Sequence, residues 1–85
     1  MKKITIYSSL ICPYCTAAKK ILINEGLNFN EIIIDDKPEL REEMIKRAHG
    51  KYTVPQIFFD DESIGGFDQL SILKKKQSIK SLVEG

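Results

Sequence analysis

The chain has 85 residues, 42% of them hydrophobic, and its 13 basic and 12 acidic side chains leave a formal net charge of +1 at pH 7. This length allows one small domain, residues 1–85, with a modest core. The balance of charge argues against nucleic acid as a partner. No apolar stretch is long enough to cross a bilayer, and no apolar signal region follows Met1, so we expect a soluble, cytoplasmic protein without a membrane partner.

The only two cysteines lie where a strand pattern changes to a helix pattern. Residues 3–7 are β-branched and aromatic, and residues 13–25 carry apolar side chains at helical spacing. Pro13 suits the first helical position, which places Cys12 at or near the N-cap and Cys15 one turn into the helix. Free N–H groups and the helix dipole favour a thiolate at Cys12. The pair therefore predicts thiol redox chemistry, with Cys12 as the nucleophile and Cys15 as the resolving cysteine.

Two other uses of the cysteine pair fit the chain less well. A zinc site needs four ligands and His49 is the only histidine, so no metal site is expected. We expect His49 to have a structural role at the end of a helix. A structural disulfide closing so short a loop would remove little entropy from the unfolded chain. In a reducing compartment, a single pair of cysteines at this spacing is more often catalytic than structural.

The middle of the chain predicts a strand and a second helix. The first helix should end near Asn24, with Gly26 as a left-handed cap, and a strand over residues 29–34 then completes a right-handed β-α-β unit. We expect Pro38 to begin the second helix, with the carboxylates of Asp35 and Asp36 capping its N-terminus. The predicted buried stripe of this helix consists of Leu40, Met44, Ile45 and Ala48, and the predicted exposed stripe of Arg41, Glu42, Glu43, Lys46 and Arg47.

The last third of the chain predicts a hairpin followed by two helices. Residues 56–59 form a clear strand, and a turn over residues 60–62 leads to a short strand around Ser63. A glycine pair ends that strand, and a third helix is predicted from Phe67 to Lys75. A short closing helix follows over residues 77–85. The predicted apolar anchors of the third helix are Leu70, Ile72 and Leu73.

Three segments, in this order, closely resemble the glutaredoxin family, specifically its small bacterial dithiol type. They are Cys12-Pro13-Tyr14-Cys15, Thr53-Val54-Pro55 and Gly65-Gly66-Phe67-Asp68. The resemblance covers essentially the full length. It implies an α/β, thioredoxin-like fold, in which a four-stranded mixed sheet of order 2-1-3-4 has helices on both faces. It also implies a monomeric, glutathione-dependent thiol–disulfide oxidoreductase that reduces protein–glutathione mixed disulfides and protein disulfides.

The resemblance further implies a glutathione site beside Cys12. It implies a cis Val54–Pro55 bond that places the Val54 backbone beside the Cys12 sulfur, where it can pair with the cysteinyl part of glutathione. The N–H groups of Phe67 and Asp68 suit the γ-glutamyl carboxylate, and the Asp68 carboxylate suits the ammonium. The residues expected to contact glutathione are Tyr14, Lys51, Thr53, Val54, Pro55, Gly66, Phe67 and Asp68.

One position departs from the family pattern. Many relatives carry a lysine three residues before the first active-site cysteine, where it helps bind the glycyl carboxylate of glutathione, and this chain has Ser9 there. We hypothesise that Lys51 partly substitutes for that lysine. Lys19 is a second candidate for a cation near Cys12, although its spacing favours an ordinary surface lysine.

Two alternative functions stay open at this point. The first is a redoxin reduced by thioredoxin reductase, although the Gly65–Asp68 segment favours glutathione. The second is a glutathione-ligated iron–sulfur carrier, although relatives with that role usually have glycine and serine where this chain has Pro13, Tyr14 and Cys15. The client protein is also open, and ribonucleotide reductase, other reductases and stress-modified thiols all fit.

Overall fold

The computed structural model describes residues 1–84, which contain four strands and four helices. In chain order the elements are β1 (Ile4–Ser8), α1 (Pro13–Asn24), β2 (Asn30–Ile33), α2 (Pro38–Arg47), β3 (Gln56–Phe59), β4 (Glu62–Gly65), α3 (Phe67–Lys76) and α4 (Ile79–Glu84). Gly85, the last residue of the predicted closing helix, lies outside the described residues. No helix in the described range is long and apolar enough to span a membrane.

The four strands form one mixed sheet in the order β2-β1-β3-β4. β1 pairs with β2 in parallel and with β3 in antiparallel orientation, and β3 and β4 form an antiparallel hairpin. The parallel pair is joined through α1, as expected of a β-α-β unit. The predicted sheet order is therefore confirmed. It places β1 and β3 at the centre, so the segments that follow β1 and precede β3 meet at one edge of the sheet.

The core lies on both faces of the sheet because successive side chains of a strand point to opposite faces. Ile6 and Ile57 face a cluster that contains residues of α1, α3 and α4, including Leu22. Tyr7 and Phe58 face a second cluster with residues of α2. Helices therefore cover both faces, as the resemblance implied. The predicted buried stripe of α2 packs in the second cluster: Leu40, Met44, Ile45 and Ala48.

The start of α2 differs from the prediction in one respect. The helix begins at Pro38 as expected, but Lys37 is its N-cap and no side chain caps it. The Asp35 carboxylate instead accepts a hydrogen bond from the Leu10 N–H at 3.1 Å. The expectation that the aspartates cap α2 is wrong, because a tertiary contact with the segment before Cys12 takes the carboxylate.

Two further side chains lie where the sequence pattern did not place them. Arg47 is not simply solvated, because its guanidinium lies 4.4 Å from the centre of the Phe58 ring and donates a hydrogen bond to the Tyr7 hydroxyl at 2.8 Å. Ile72 is 50% exposed, whereas Leu70 is fully buried. Residues that are two apart in a helix differ in direction by about 200° around its axis, so Ile72 points away from the core that Leu70 enters.

Candidate active site

Cys12 is the N-cap of α1. Its backbone is extended, with φ −151° and ψ 102°, and its sulfur accepts a hydrogen bond from the Cys15 N–H at 3.2 Å. Pro13 occupies the first turn, where its missing N–H leaves no donor unpaired. The side chain of Cys12 is half-buried. The first sulfur is thus held at the helix N-terminus, the position predicted from the sequence, and it accepts a backbone hydrogen bond there.

Cys15 lies one turn further along α1 and is only 1% exposed. Burial, together with its hydrogen bond with Cys12, raises the pKa of the Cys15 thiol to about 12. The Cys15 side chain therefore stays a neutral thiol over the physiological range. Both cysteines are free thiols. The two sulfurs are chemically distinct, one partly accessible at a helix N-terminus and one enclosed.

The loop before β3 also approaches the Cys12 sulfur. The Val54–Pro55 peptide bond is cis, and the Val54 carbonyl oxygen lies 3.9 Å from Cys12 Sγ. Pro55 is buried, whereas Thr53 is exposed. The Val54 main chain is therefore beside the reactive sulfur, which is the placement that the resemblance implied.

A groove of about 510 Å³ opens next to Cys12, between the loop before β3 and the start of α3. All eight residues expected to contact glutathione line it, including both charged ones, Lys51 and Asp68. Its lining consists of Tyr14, Lys51, Thr53, Val54, Pro55, Gln56, Gly66, Phe67, Asp68 and Gln69.

Gly66 forms the junction between the hairpin and α3. It is the N-cap of α3, and its N–H donates to the Gln69 side-chain oxygen at 2.9 Å. A Cβ at this position would lie 3.1 Å from the Pro55 carbonyl oxygen, so a larger residue would press on the loop. The glycine therefore lets the two walls of the groove approach each other. Across the groove mouth, the rings of Tyr14 and Phe67 lie 5.8 Å apart between centroids.

The free N–H groups at the start of α3 belong to this groove. The first helical residues have no acceptor within their own helix, so the N–H groups of Phe67 and Asp68 are available to a ligand. The Asp68 side chain is exposed in this first turn. An amino-acid-like group, which carries one carboxylate and one ammonium, matches this combination of donors and carboxylate.

A family model described as Glutaredoxin matches residues 4–64. The chain belongs to the glutaredoxin family. It is 44% identical over 84 residues to glutaredoxin 3 of Escherichia coli strain K12, an alignment that covers 99% of this chain and all of that protein. As a glutaredoxin it is a member of a family of thiol–disulfide oxidoreductases, which agrees with the arrangement of its two cysteines.

Solved glutaredoxin structures share the fold of the chain. The solution structure of glutaredoxin from Brucella melitensis superposes with a TM-score of 0.83 at 42% identity, covering 98% of this chain and 89% of that one. The crystal structure of a buckwheat glutaredoxin–glutathione complex superposes with a TM-score of 0.87 at 21% identity, covering 98% and 77%. At that identity the buckwheat protein shows the fold alone.

The two cations discussed for this glutaredoxin differ in their surroundings. Lys51 lines the groove, whereas Lys19 pairs with Glu31 at 2.6 Å on the side of α1. Ser9 does not line the groove. Hydrogen bonding from the Ser9 side chain and from the Leu10 N–H lowers the pKa of Asp35. Ser9 therefore contributes to the surroundings of Asp35 and not to the groove.

Sequence reasoning missed two residues of the groove, Gln56 and Gln69. The buried Gln56 amide nitrogen donates to the Thr53 carbonyl at 2.9 Å and so ties β3 to the loop before it. Gln69 holds the Gly66 N–H, as described above. A glutamine three residues after a helix N-cap is a known capping signal that could have identified Gln69. Gln56 gave no comparable signal, because it reads as an ordinary strand residue.

Within residues 1–84, no three His, Cys, Asp or Glu side chains form a group that could hold a metal ion.

Proposed function

We propose that this glutaredoxin is a cytoplasmic, monomeric, glutathione-dependent enzyme that reduces protein–glutathione mixed disulfides and protein disulfides. One observation carries the proposal: the Cys12 sulfur lies 3.9 Å from the carbonyl oxygen of Val54, which lines a groove that combines the Val54 main chain, a helix N-terminus, one carboxylate and one ammonium. Glutathione is a tripeptide with two carboxylates and one ammonium.

The proposed contacts follow from the chemistry of each group. The Val54 main chain pairs with the cysteinyl part of glutathione in the manner of an added β-strand. The N–H groups of Phe67 and Asp68 bind the γ-glutamyl carboxylate, and the Asp68 carboxylate binds the neighbouring ammonium. Lys51 attracts the glycyl carboxylate. Tyr14 and Thr53 close the sides of the groove.

The proposed reaction is a pair of thiol–disulfide exchanges. The Cys12 thiolate attacks the glutathione sulfur of a mixed disulfide, so that one S–S bond forms while another breaks. The client leaves as a thiolate and takes a proton from water. A second glutathione, as its thiolate, then attacks the glutathione bound to Cys12. Oxidised glutathione leaves, and the Cys12 thiolate is restored.

Protein disulfides require the second cysteine. Cys12 attacks one sulfur of the disulfide, so that a Cys12–client disulfide forms while the second client sulfur leaves as a thiolate. Cys15 then loses its proton, attacks Cys12 and releases the client as a dithiol. Two glutathione molecules reduce the resulting Cys12–Cys15 disulfide. The raised pKa of Cys15 keeps its thiol protonated while both cysteines are free.

A coupled assay tests this function. Turnover of a glutathionylated peptide is followed with glutathione, glutathione reductase and NADPH, in the wild type and two cysteine variants. The rate of Cys12→Ser should be more than about 100-fold lower than that of the wild type, because a serine hydroxyl is a weak nucleophile at neutral pH. Cys15→Ser, the matched control, should keep the activity towards the glutathionylated peptide but lose the reduction of a protein disulfide.

Two results would contradict the proposal. Full activity of Cys12→Ser would exclude Cys12 as the nucleophile. If thioredoxin reductase reduces the oxidised protein and glutathione does not, the protein is instead a redoxin that depends on thioredoxin reductase. Ribonucleotide reductase, one of the clients that fit, can be tested in the same assay once the reductant is known.

A further inference from the structure

Exposed apolar side chains are concentrated around Cys12. Among the described residues, seven large hydrophobic side chains are exposed, and four of them lie in the two segments that meet at the Cys12 sulfur. Leu10 is 75% and Ile11 92% exposed, directly before Cys12, and Tyr52 is 68% exposed, two residues before Val54. We call Leu10, Ile11 and Tyr52 the apolar rim. The fourth side chain, Tyr14, faces the groove. Large apolar clusters on a soluble protein commonly mark an interaction surface.

The backbone of the apolar rim is held in place from α2. The Leu10 N–H donates to the Asp35 carboxylate at 3.1 Å, and the Arg41 guanidinium donates to the Tyr52 carbonyl at 3.2 Å. Arg41 also acts electrostatically on Asp35. Both segments are thus tied to the N-terminal end of α2. Their side chains face solvent while their main chains are fixed, which lowers the entropy that docking would cost.

The apolar rim is also electrically neutral. Apart from the Cys12 thiolate of the proposed reaction, residues 8–16 contain no charged side chain, and the next cation along α1, Lys19, pairs with Glu31 at 2.6 Å. Asp35 and Arg41 carry opposite charges, and each bonds the main chain of one rim segment. Lys51, the chain neighbour of Tyr52, lines the groove, where the proposed function gives it the glycyl carboxylate as its partner. A charged residue placed against the rim would lose hydration without gaining a partner, whereas an apolar residue would gain by burial.

We propose that the apolar rim is the docking surface for the client polypeptide and that it selects reactive cysteines flanked by apolar side chains. This inference rests on the proposed function, in which the groove takes the glutathione part of a mixed disulfide. In thiol–disulfide exchange the attacking, central and leaving sulfurs lie close to one line. With the glutathione part in the groove, the client is bonded to the far side of the glutathione sulfur and lies outside the groove. Its residues next to the cysteine then lie against Leu10, Ile11 and Tyr52.

Two glutathionylated peptides of equal length and net charge test the selection. In one the cysteine is flanked by leucine and valine, and in the other by serine. The wild type should prefer the apolar peptide in kcat/KM by about tenfold, which corresponds to about 1.4 kcal/mol. The double variant Leu10→Ser, Ile11→Ser should bring this preference to within about twofold. Because both peptides are measured with the same protein, the ratio is independent of any common change in rate.

A matched control removes exposed apolar surface elsewhere. Ile23 and Ile72 are also exposed, and neither lines the groove or belongs to the rim. The double variant Ile23→Ser, Ile72→Ser should keep the wild-type preference. Tyr52→Ser, which changes the second segment of the rim, should lower the preference independently. Equal kcat/KM for both peptides in the wild type, or an undiminished preference in Leu10→Ser, Ile11→Ser, would overturn the proposal.

A second measurement separates this inference from the proposed function. The reduced wild-type protein is mixed with the symmetric disulfide of each peptide, without glutathione, and release of the free peptide is timed in a single turnover. If glutathione supports no turnover of either glutathionylated peptide, the proposed function fails. The apolar rim is then still supported by faster attack on the apolar peptide disulfide in the wild type than in Leu10→Ser, Ile11→Ser. Equal rates would overturn it.

Discussion

Helix α1 and the groove meet at the Cys12 sulfur, yet they are built in different ways. Both cysteines belong to α1, within a single turn, and their difference comes from the helix itself: an N-cap position for one and burial for the other. Apart from Tyr14, the residues that line the groove lie much further along the chain, within residues 51–56 and 66–69. In the proposed function, a local segment therefore determines which sulfur reacts, whereas distant segments determine what is recognised.

The largest expected effect lies within α1, in the reactivity of the two thiols. Iodoacetamide at pH 7.5 should modify Cys12 more than about 100-fold faster than Cys15 in the folded protein. Burial raises the pKa of Cys15, so its thiolate is scarce at neutral pH and increases only as the pH rises towards that value. The rate of modification at each cysteine is measured by peptide mass spectrometry across a pH series.

The controls for this comparison are unfolding and removal of the neighbouring sulfur. In urea the two cysteines should react at rates within about threefold of each other, because burial no longer separates them. Cys12→Ser should leave Cys15 protected in the folded protein, since burial is the larger cause of its raised pKa. Rapid modification of Cys15 in the folded wild type at neutral pH would show that α1 does not distinguish the two thiols.

The difference between the local segment α1 and the groove of distant segments also explains what could be predicted from the sequence. The start of α1, its end near Asn24 and the N-cap position of Cys12 follow from neighbouring residues, with Pro13 as the strongest local signal. The sheet order and the placement of Val54 beside Cys12 came from the resemblance to a family. The bond from Leu10 to Asp35 and the position of Gln56 escaped prediction, because each depends on contacts between parts of the chain that only the folded structure brings together.

Asp68→Asn tests the groove side of the comparison and should have an intermediate effect. The substitution keeps the size and the helix N-terminal position of the side chain but removes the charge proposed to bind the γ-glutamyl ammonium. We expect KM for glutathione to rise about five- to tenfold with little change in kcat, as for the loss of a charge-assisted hydrogen bond. Steady-state kinetics with varied glutathione measures both constants.

Asp61→Asn is the matched control for this variant. Asp61 is a fully exposed aspartate in the hairpin turn, outside the groove, and its 3.8 Å ion pair with Arg47 is of the surface kind that contributes little. It should leave KM unchanged. Equal KM values for Asp68→Asn and the wild type would mean that recognition of glutathione does not use the α3 carboxylate. The alkylation rate of Cys12 at pH 7.5 should be the same in both variants, which keeps recognition separate from sulfur reactivity.

Lys51→Ala has the smallest expected effect. It tests whether Lys51 replaces the lysine that the family pattern has at the position of Ser9. Lys51 lines the groove, whereas Ser9 is engaged with Asp35. An exposed lysine that attracts a carboxylate contributes at most about 1 kcal/mol, so KM for glutathione should rise about two- to threefold. The increase should shrink as salt is added, since screening weakens interactions between exposed charges. Kinetics at low and at physiological ionic strength measure this dependence.

Lys46→Ala separates a local attraction from a general change in charge. Lys46 is an exposed lysine of α2 outside the groove, so its removal lowers the net charge equally but leaves the groove intact. If KM rises in Lys51→Ala and not in Lys46→Ala, Lys51 attracts the glycyl carboxylate of glutathione. It then replaces the lysine that the family pattern has at the position of Ser9. Unchanged kinetic constants in Lys51→Ala would show that the glycyl carboxylate is bound without a lysine, and that the neutral backbone groups of the groove suffice for recognition.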